Sequence, residues 1–482
     1  MGLSVMRAGV VDNMSSGLGM SGWVVDPAAP DGRAAVDIII DGERVARVAA
    51  HVPRADVQAH FRESFGLDVP ADAGFFSKAL MAPRFEGREV EVRVCFAGTD
   101  EPLTNGVARV RCGAGRIRAL FAAEMAGHAG WSPAHVEVGD GVLRLSGLAA
   151  WPRATDDVPM LRADGGTVAP VRLQDGGGAD DVLWFLPDHR RVTFTAEMAL
   201  PPADSWPDGG FSVTLGWERG GTPLHPWQRV VVPRLLVMAG DRRAGSPPVP
   251  GHDEQARVLG QSVSAAQFEI GGYSTLHTMW AVIAGTDGRR PQDFRAILDW
   301  GCGCGRVLRW LAAERAPGQR IAGSDMDPLN VSWCQTHLAG CEVHSNGPHP
   351  PLPFADGAFD LVLGHSVITH IPLDVAETWF AELDRVLAPG GIAYLTFQGA
   401  YALLCSAHAL GVDSLERVAS AGADDSSRDA NVRLDEAPDY YRAVFHTPEH
   451  LRALAGRRFE VVAIEPTAYG HFQDVAVLRK RG

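Results

Sequence analysis

The sequence lacks three features that would each point to a particular class of function: a long apolar run, a leader peptide and a basic patch. No stretch of the 482 residues is apolar over the length that a membrane-spanning helix needs. Residues 1–7 do not have the pattern of a signal peptide. Lys and Arg cluster only at residues 479–481 and the net charge is −14, so we expect no nucleic-acid partner, which would need basic patches.

Cysteine is scarce and scattered. The chain has 7 cysteines, an odd number, which is typical of reduced thiols in the cytoplasm. Cys302 and Cys304 lie two residues apart, but no second Cys or His pair stands nearby at the spacing of a zinc site. We therefore predict no metal site and interpret these two cysteines as small side chains within a turn.

The composition is otherwise that of an ordinary globular protein. Apolar residues make up 46% of the chain and charged residues 21%. The length is too great for one typical domain and predicts about three.

The most informative segment spans residues 297–307, where an apolar strand leads through Asp299 into a glycine-rich loop. The glycines alternate in a G-x-G-x-G spacing, at Gly301, Gly303 and Gly305. Glycine lets the backbone bend sharply and lets a ligand approach closely. A helix is predicted to begin at Val307, and the free N–H groups of a helix N-terminus attract anionic groups. The pattern predicts a nucleotide-type cofactor loop, with a spacing that differs from the dinucleotide fingerprint G-x-G-x-x-G.

A second predicted strand, residues 320–325, ends in Asp325, about one helix and one strand beyond the loop. A doubly wound fold places a carboxylate there that accepts hydrogen bonds from ribose hydroxyls. The alternative role is a helix N-cap ahead of Pro328. Asp327 directly precedes that proline and fits the cap better.

Further blocks follow in a set order. Residues 351–366 indicate a loop and a fourth strand, and residues 383–397 indicate a helix, a Pro-Gly-Gly turn and a fifth strand. Residues 459–466 and 472–479 alternate as two closing strands. With these blocks, residues 255–482 resemble the class I S-adenosylmethionine-dependent methyltransferases.

The resemblance implies a Rossmann-like α/β domain with a seven-stranded sheet and S-adenosylmethionine as the cofactor. It implies that Asp325 holds the ribose and that Met326 packs on the adenine. Asn346 stands where many relatives carry an acidic residue, and its amide oxygen can accept a hydrogen bond from the adenine amine. The predicted cofactor-binding residues are Asp299, Gly301, Gly303, Gly305, Asp325, Met326, Asn346, His365 and Ser366.

Two histidines after the fourth strand are the candidate catalytic residues. Methyl transfer from a sulfonium is an in-line displacement for which the protein supplies position and electrostatics. A base is needed only if the acceptor is a hydroxyl or a protonated amine, and histidine titrates near neutral pH. His365 and His370 flank Ser366 where such a base would lie, although a purely structural role for His370 is an alternative.

Three other segments are candidates for ligand contact. Residues 271–273 (Gly-Gly-Tyr) lie in a predicted helix that covers the cofactor in this family, or they mark a helix break. His471, Gln473 and Asp474 either reach an acceptor or stabilise a turn. The long insertion at residues 398–446 is predicted to be a lid over the acceptor site. Its flexible stretch, residues 423–429, is flanked by Tyr401, Tyr440, Tyr441 and His446.

The N-terminal half has a different character, with many short alternating runs broken by Gly, Pro and Asp. One of them, residues 36–45, indicates two strands joined by an Asp-Gly turn. We predict a multidomain protein in which N-terminal all-β, sandwich-like modules precede the methyltransferase domain. The predicted segments are a first module (1–112), a helical connector (113–129), a second module (130–235), a linker (236–252) and the methyltransferase domain (253–482).

The first module resembles small β modules that accompany sugar-handling enzymes in some bacterial proteins. The other interpretation is a packing module that binds a protein partner or a second copy in a homo-oligomer. The leading hypothesis for the chain is methyl transfer, on oxygen, to a small-molecule or glycan acceptor. The alternatives are a non-catalytic scaffold that binds S-adenosylmethionine and an NAD-dependent oxidoreductase, which the glycine spacing disfavours. The sequence does not identify the acceptor.

Overall fold

The computed structural model describes residues 7–14, 17–27, 29, 33–52, 54–155, 157–163, 166–176, 178–207, 209–237, 247–259, 264–407, 409–428 and 440–482. The chain divides into two compact units. Unit 1 comprises Met1–Ala123 and Leu403–Ser420, and unit 2 comprises Glu124–Ala402 and Ala421–Gly482. None of the helices formed by the described residues combines the length and the apolar character that crossing a membrane requires.

The N-terminal half is rich in strands, as predicted. Its strands are β1 (Ala8–Asn13), β2 (Met20–Val25), β3 (Ala35–Ile40), β4 (Glu43–Ala49), β5 (Gly74–Ser77), β6 (Glu89–Phe96), β7 (Pro102–Arg111), β8 (Gly130–Gly139), β9 (Val142–Pro152), β10 (Pro159–Ala163), β11 (Val168–Asp175), β12 (His189–Ala199), β13 (Phe211–Trp217) and β14 (Val230–Val232). Its helices are α1 (Ala55–Phe65), α2 (Ala114–Leu120), α3 (Ala122–Met125) and α4 (Gly178–Val182), and short 3₁₀ turns occupy Ala79–Met81, Pro83–Phe85, Ala203–Ser205 and Arg234–Leu236.

The C-terminal half alternates helices and strands. Its strands are β15 (Ala296–Trp300), β16 (Arg320–Asp325), β17 (Glu342–Ser345), β18 (Phe359–Gly364), β19 (Leu387–Phe397), β20 (Ala423–Arg428), β21 (Arg442–His446), β22 (Phe459–Tyr469) and β23 (Gln473–Lys480). Its helices are α5 (His252–Leu259), α6 (Ala265–Thr286), α7 (Leu308–Ala313), α8 (Pro328–His337), α9 (Leu373–Val386), α10 (Ala400–Cys405), α11 (Val412–Ala421) and α12 (Pro448–Ala455), with a 3₁₀ turn at Pro291–Asp293.

Two seven-stranded sheets are formed by the N-terminal strands. The first has the order β4-β3-β6-β7-β1-β2-β5, and the second has the order β14-β13-β10-β11-β12-β9-β8. The predicted Asp-Gly turn joins β3 to β4 and places both Asp41 (φ 48°) and Gly42 (φ 83°) in the left-handed region, as the tight turns of hairpins require. The sandwich packing of these sheets and the domain boundaries remain predictions.

The third sheet is the predicted seven-stranded sheet, with the order β17-β16-β15-β18-β19-β23-β22. The five strands from β17 to β19 run parallel, whereas β23 lies antiparallel to both β19 and β22. Because β16 and β18 lie on opposite sides of β15, the strand order reverses there. A crevice at the carboxyl ends of β15 and β18 is therefore the place where such folds bind ligands.

Alternate residues of the central strands fill two cores, one on each face of this sheet. Ile297 and Leu361 pack with residues of α6 and α7, whereas Leu298 and Val362 pack with residues of α9 and α12. Parallel strands that are buried on both faces are continuous apolar runs, and this explains why β15 is apolar until Asp299.

The second sheet belongs to the same compact unit as the third. Strand β14 packs on α6, where the Val231 N–H donates to Ser274 Oγ (2.8 Å). The segment before β14 contacts the end of β22, because Gln228 Nε2 donates to the Thr467 carbonyl (2.9 Å) and Trp227 Nε1 donates to Glu465 Oε2 (2.7 Å). These contacts position the β22–β23 turn beside the crevice.

Candidate functional site

The glycine-rich loop adopts a conformation that other residues would strain. Gly301, Gly303 and Gly305 have φ angles of 73°, 51° and 78°. A Cβ atom on Gly301 would lie 2.4 Å from Val367 Cγ2, and one on Gly303 would lie 2.8 Å from Val258 Cγ2. The loop therefore depends on glycine for both its shape and the space around it.

The loop is anchored by hydrogen bonds to the end of β16. The N–H groups of Gly301 and Cys302 both donate to the Ser324 carbonyl, at 2.8 and 3.0 Å. Helix α7 begins at Leu308, one residue after the predicted start, and spans only 6 residues. A helix this short does not provide the anion-binding N-terminus that the sequence predicted.

Asp325 lies at the end of β16 and bridges the loop to the next turn. Its Oδ2 accepts from the Gly303 N–H (2.7 Å), and its Oδ1 accepts from the Asp327 N–H (2.9 Å). Asp327 caps α8 by accepting from the Leu329 N–H (3.0 Å), which confirms the cap assigned to it from the sequence. Burial raises the pKa of Asp325.

Asp299 is a second carboxyl group in the same crevice. It is only 2% exposed. Burial and the neighbouring Asp325 raise its pKa to about 7. Its Oδ2 atom is buried and has no hydrogen-bond partner within the described part of the chain.

These groups line a pocket with about 1320 Å³ of empty space, including the part that is open to solvent. The pocket brings together all but one of the predicted site residues, namely Asp299, Gly301, Gly303, Asp325, Met326, Asn346, His365, Ser366 and His370. Gly305 is not among its lining residues, and a Cβ atom there would lie 2.9 Å from Leu338 Cδ1. Gly305 therefore shapes the loop from behind.

The two candidate histidines have different surroundings. The ring of His365 stands edge-on to that of Tyr469, with centroids 4.0 Å apart, and its Nε2 is buried without a partner among the described residues. Burial, and then the charge of Arg306, hold the pKa of His365 well below its usual value. In contrast, His370 Nδ1 lies 3.3 Å from the Arg442 carbonyl oxygen.

Several lining residues were not singled out from the sequence. Arg306 follows the glycine loop, and its Nη2 donates to Tyr469 Oη (3.0 Å). Arg257 pairs with Asp327 across 2.5 Å. The loop motif placed Arg306 next to the site in sequence, but no local signal connected it to Tyr469, 163 positions away.

The predicted lid contributes to the pocket only in part. Tyr440 and Tyr441 line it, and Tyr440 Oη accepts from Trp379 Nε1 (2.9 Å). Tyr401 instead stacks on His128, and His446 Nδ1 lies 3.0 Å from His450 Nδ1. Within the insertion, residue 408 and residues 429–439 lie outside the described residues.

The remaining sequence candidates have structural contacts. Helix α6 runs unbroken through Gly271 and Gly272, and Tyr273 Oη donates to Glu314 Oε1 (2.5 Å). Gln473 Oε1 accepts from Thr396 Oγ1 (2.6 Å) and from the Ser366 hydroxyl (3.1 Å). Tyr273 and Gln473 thus make structural hydrogen bonds, and neither residue lines the pocket.

His471 and Asp474 stabilise the β22–β23 turn. Asp474 Oδ1 accepts from the Thr467 N–H (2.8 Å), and burial raises the pKa of Asp474 to about 7. The His471 ring stacks on that of His128, with centroids 4.9 Å apart. Of the two roles weighed from the sequence, these contacts favour the turn.

The polar atoms that line the pocket fit an adenosine-type ligand. Asp299 Oδ2 and Asn346 Oδ1 are buried acceptors without partners among the described residues. Ribose hydroxyls and an adenine amino group are donors, and a carboxylate has about four acceptor positions. Asp325 can therefore accept further bonds besides its two backbone donors. Among the residues that the structure describes, no three His, Cys, Asp or Glu side chains are grouped so that they could hold a metal ion.

Comparison with known proteins identifies the C-terminal half. A family model described as "Methyltransferase domain" matches residues 298–395. The malonyl-[acyl-carrier protein] O-methyltransferase of Hahella chejuensis is 33% identical over 102 residues, which cover 21% of this chain and 34% of that protein. Methyltransferase GfsG of Streptomyces halstedii is 32% identical over 105 residues, with coverage of 20% and 34%. The chain thus spans about a third of the length of these relatives.

Solved structures give a weaker likeness. A SAM-dependent methyltransferase from Methanosarcina mazei has a TM-score of 0.32 and 21% identity, over 42% of this chain and 97% of that one. A Burkholderia thailandensis 1,6-didemethyltoxoflavin-N1-methyltransferase with bound S-adenosylhomocysteine has a TM-score of 0.30 and 16% identity, over 53% and 96%. At these scores the likeness carries no argument about the acceptor. On the family match, the strand order and the glycine loop, the C-terminal part of the chain is a class I methyltransferase domain, a class whose methyl donor is S-adenosylmethionine.

Proposed function

We propose that the protein transfers a methyl group from S-adenosylmethionine to a hydroxyl group of a small-molecule or glycan acceptor. The observation that carries this proposal is the hydrogen bond from the Gly303 N–H to Asp325 Oδ2 (2.7 Å), which holds the carboxylate against the glycine loop at the carboxyl edge of the parallel strands. Doubly wound folds bind nucleotides at this edge. A cytoplasmic location belongs to the same proposal and is supported by the small, odd number of scattered cysteines, which is typical of reduced thiols.

In this proposal, Asp325 accepts hydrogen bonds from the ribose, Asn346 accepts one from the adenine amine, and Met326 packs on the adenine ring. Asp299, Gly301, Gly303, His365 and Ser366 complete the pocket around the cofactor, and Gly305 holds the loop in shape. When bound, S-adenosylmethionine supplies an electrophilic methyl group on a positively charged sulfur.

His365 is the stronger candidate for the base. Its Nε2 is buried without a partner among the described residues, and its depressed pKa keeps the imidazole neutral at pH 7, so the unprotonated ring nitrogen can accept the proton of an acceptor hydroxyl. His370 also lines the pocket and is the second candidate. A neutral imidazole in the pocket suits a hydroxyl acceptor, which must lose a proton when it is methylated.

Calorimetric titration with S-adenosylmethionine tests the cofactor site, using the wild type, Asp325→Ala and Asp360→Ala. Asp360 is a matched control, because its carboxyl also accepts two backbone N–H groups, from Arg295 (2.7 Å) and Ala296 (2.9 Å), outside the pocket. We expect saturable binding by the wild type and Asp360→Ala, and at least about tenfold weaker binding by Asp325→Ala, a loss of about 1.4 kcal/mol. Equal binding by all three proteins would contradict the role of Asp325.

Two further titrations separate the alternatives. If the protein were an NAD-dependent oxidoreductase, NAD would bind saturably, whereas we expect no NAD binding. If it were a non-catalytic scaffold, S-adenosylmethionine would bind but no acceptor in a hydroxyl-bearing library, sugars first, would yield S-adenosylhomocysteine. A glycan array with the full chain tests whether the first β-rich module contributes to acceptor binding.

A further inference from the structure

Tyr469 lines the cofactor pocket but takes no part in the cofactor contacts proposed above. It ends β22, and its ring stands edge-on to that of His365 with centroids 4.0 Å apart. It also lines an adjoining cavity with about 820 Å³ of empty space, including the part that is open to solvent. The walls of that cavity come from β8, the segment before β14, helix α6 and the β22–β23 turn. The phenol group therefore lies next to the candidate base, where two cavities of unit 2 adjoin.

The turn that carries Tyr469 has an unusual backbone conformation. Thr467 and His471 have φ angles of 49° and 54°, and Gly470 has a φ angle of 60°. Residues other than glycine rarely adopt these left-handed angles, and they persist there only where the surrounding structure holds them. Because the two strained residues lie on either side of Tyr469 in the sequence, its position is imposed by the surroundings of the turn.

Contacts from the second sheet and the segment before β14 hold this turn. Gln228 Nε2 donates to the Thr467 carbonyl (2.9 Å), and Ser132 Oγ donates to the Gly470 carbonyl (3.3 Å). One of these bonds precedes Tyr469 in the sequence and the other follows it. They therefore fix the stretch of backbone from which the Tyr469 side chain extends.

The hydroxyl group of Tyr469 keeps a hydrogen that it can donate to a ligand. Arg306 Nη2 donates to Tyr469 Oη (3.0 Å), and since a guanidinium is only a donor, the phenol oxygen accepts in this bond. The hydrogen of the hydroxyl itself has no acceptor within the described part of the chain. The charge of Arg306 faces the neighbouring carboxyl group of Asp299, so the guanidinium serves to orient the phenol.

A donor in this place distinguishes oxygen from nitrogen as the atom that receives the methyl group. A hydroxyl oxygen has two lone pairs and one hydrogen. One lone pair can accept from Tyr469, the hydrogen can pass to His365, and the second lone pair remains for the methyl carbon. An uncharged amine nitrogen has a single lone pair, so a hydrogen bond from Tyr469 would occupy the pair that has to attack.

We propose that Tyr469 is a specificity-determining residue that donates a hydrogen bond to the acceptor oxygen and thereby selects hydroxyl over amino acceptors. This inference rests on the methyltransferase function proposed above. In the transfer, the acceptor oxygen forms a bond to the methyl carbon while the bond from that carbon to sulfur breaks, and the hydroxyl proton passes to His365 Nε2. The positive charge thus moves from the sulfur to the imidazole, and Tyr469 keeps its own proton.

Two probes that carry both kinds of acceptor group test the inference on the full chain with S-adenosylmethionine. They are glucosamine and 2-aminophenol, used at a mildly alkaline pH at which their amino groups are uncharged. Chromatography separates the O-methylated from the N-methylated product of each probe. We expect the wild type to form at least about tenfold more of the O-methylated product. Because both products come from one probe, the amount of folded protein does not affect their ratio.

Two phenylalanine variants assign the preference to one hydroxyl group. Tyr469→Phe keeps the ring beside His365 and removes only the hydroxyl, and we expect the ratio of O-methylated to N-methylated product to fall about tenfold. Tyr394→Phe is the matched control, because Tyr394 Oη is buried without a partner among the described residues and Tyr394 lines neither cavity. It should give the wild-type ratio. Thermal melting establishes that each variant is folded, and if Tyr469→Phe is not, the wild-type ratio decides.

The results separate this inference from the proposed function. A wild-type ratio near one, the same ratio in the wild type and folded Tyr469→Phe, or no methylation of either probe would overturn the role of Tyr469. If the wild type still bound S-adenosylmethionine and methylated a member of the hydroxyl-bearing library, only this inference would fall. If the wild type bound no S-adenosylmethionine, or methylated no member of that library, the proposed function would fall and this inference with it.

Discussion

At the scale of single residues, the site relies on ionisable groups whose surroundings disfavour charge. The buried Asp299 carboxyl neighbours the half-buried Asp325, and His365 is a half-buried imidazole next to Arg306. Burial raises the pKa of an acid and lowers that of a base, so both kinds of group tend toward neutrality. The unpartnered acceptor atoms of the pocket therefore suit a ligand that brings hydrogen-bond donors.

The raised pKa of Asp299 predicts a pH-dependent cost in stability. Its pKa in the folded state is about 7, against 3.8 for an aspartate in water. The native state therefore holds the proton more tightly, and the contribution of Asp299 to stability is full below about pH 4 and is lost as the pH rises to 7. We expect Asp299→Asn to gain stability relative to the wild type by on the order of 2–4 kcal/mol between pH 4 and pH 8.

Urea unfolding at pH 4.5, 6 and 8 measures this change. Asp356→Asn, at a side chain that is 83% exposed, controls for the general effect of removing a negative charge. Parallel stability curves for the wild type and Asp299→Asn across this range would contradict the prediction.

Most of the pocket was predictable from residues because its motifs are local. Residues 299–305 and Asp325 follow strands whose order fixes their place at one sheet edge. Arg306–Tyr469 and Tyr440–Trp379 were not predictable, because each pair joins distant parts of the chain whose meeting depends on tertiary packing.

At the scale of elements, helix α6 can approach the Arg306 backbone closely because Gly272 has no Cβ atom. Gly271 and Gly272 are adjacent in an unbroken helix of 22 residues. From the sequence they indicated either a cofactor contact or a helix break, since glycine lowers helix propensity by about 1 kcal/mol relative to alanine. The structure supplies another reason for Gly272, because α6 there lies directly against the Arg306 backbone.

The two glycines should therefore respond oppositely to alanine. A Cβ atom on Gly272 would lie 2.4 Å from the Arg306 carbonyl oxygen, whereas the nearest atom to one on Gly271 is Arg306 Nη1 at 4.0 Å. We expect Gly272→Ala to destabilise the protein by about 1–3 kcal/mol through overpacking. Gly271→Ala should stabilise it by about 0.5–1 kcal/mol through helix propensity. Denaturant unfolding of both variants checks this, and a shift in the same direction for both would refute it.

At the scale of the whole molecule, the second sheet and the methyltransferase fold are connected through buried histidines of unit 2. His128 Nε2 lies 2.6 Å from His471 Nε2, and His225 Nε2 donates to the Pro466 carbonyl (3.1 Å). Burial lowers the pKa of His128 to about 3 and that of His225 to about 4. This cluster could not be predicted from local patterns, since its members are separated by up to 343 positions.

These histidines predict sensitivity to acid. Because their folded-state pKa values lie below 6.5, their contribution to stability is present above about pH 6.5 and is lost as the pH falls toward 4. His225→Gln keeps a donor for the Pro466 carbonyl and removes the titration. From pH 7 to pH 5, we expect the wild type to lose on the order of 1–2 kcal/mol more than this variant.

Thermal or urea unfolding across this pH range provides the measurement. His135→Gln is the matched control, because the His135 side chain is 59% exposed. If His225→Gln and His135→Gln lose stability equally on acidification, the buried cluster is not the source of the acid sensitivity.

Trp227, in the segment before β14, packs against helix α6. A Cβ atom on Gly285 of α6 would lie 2.3 Å from the ring of Trp227, so helix and indole are in direct contact. A gene trimmed to residues 253–482 would remove this indole together with β14, and would leave an apolar strip of α6 uncovered. Such a fragment should accumulate in inclusion bodies, whereas the full chain should remain in the supernatant. We therefore expect the neighbouring sheet to contribute to the solubility of the methyltransferase fold, because it covers this face of α6.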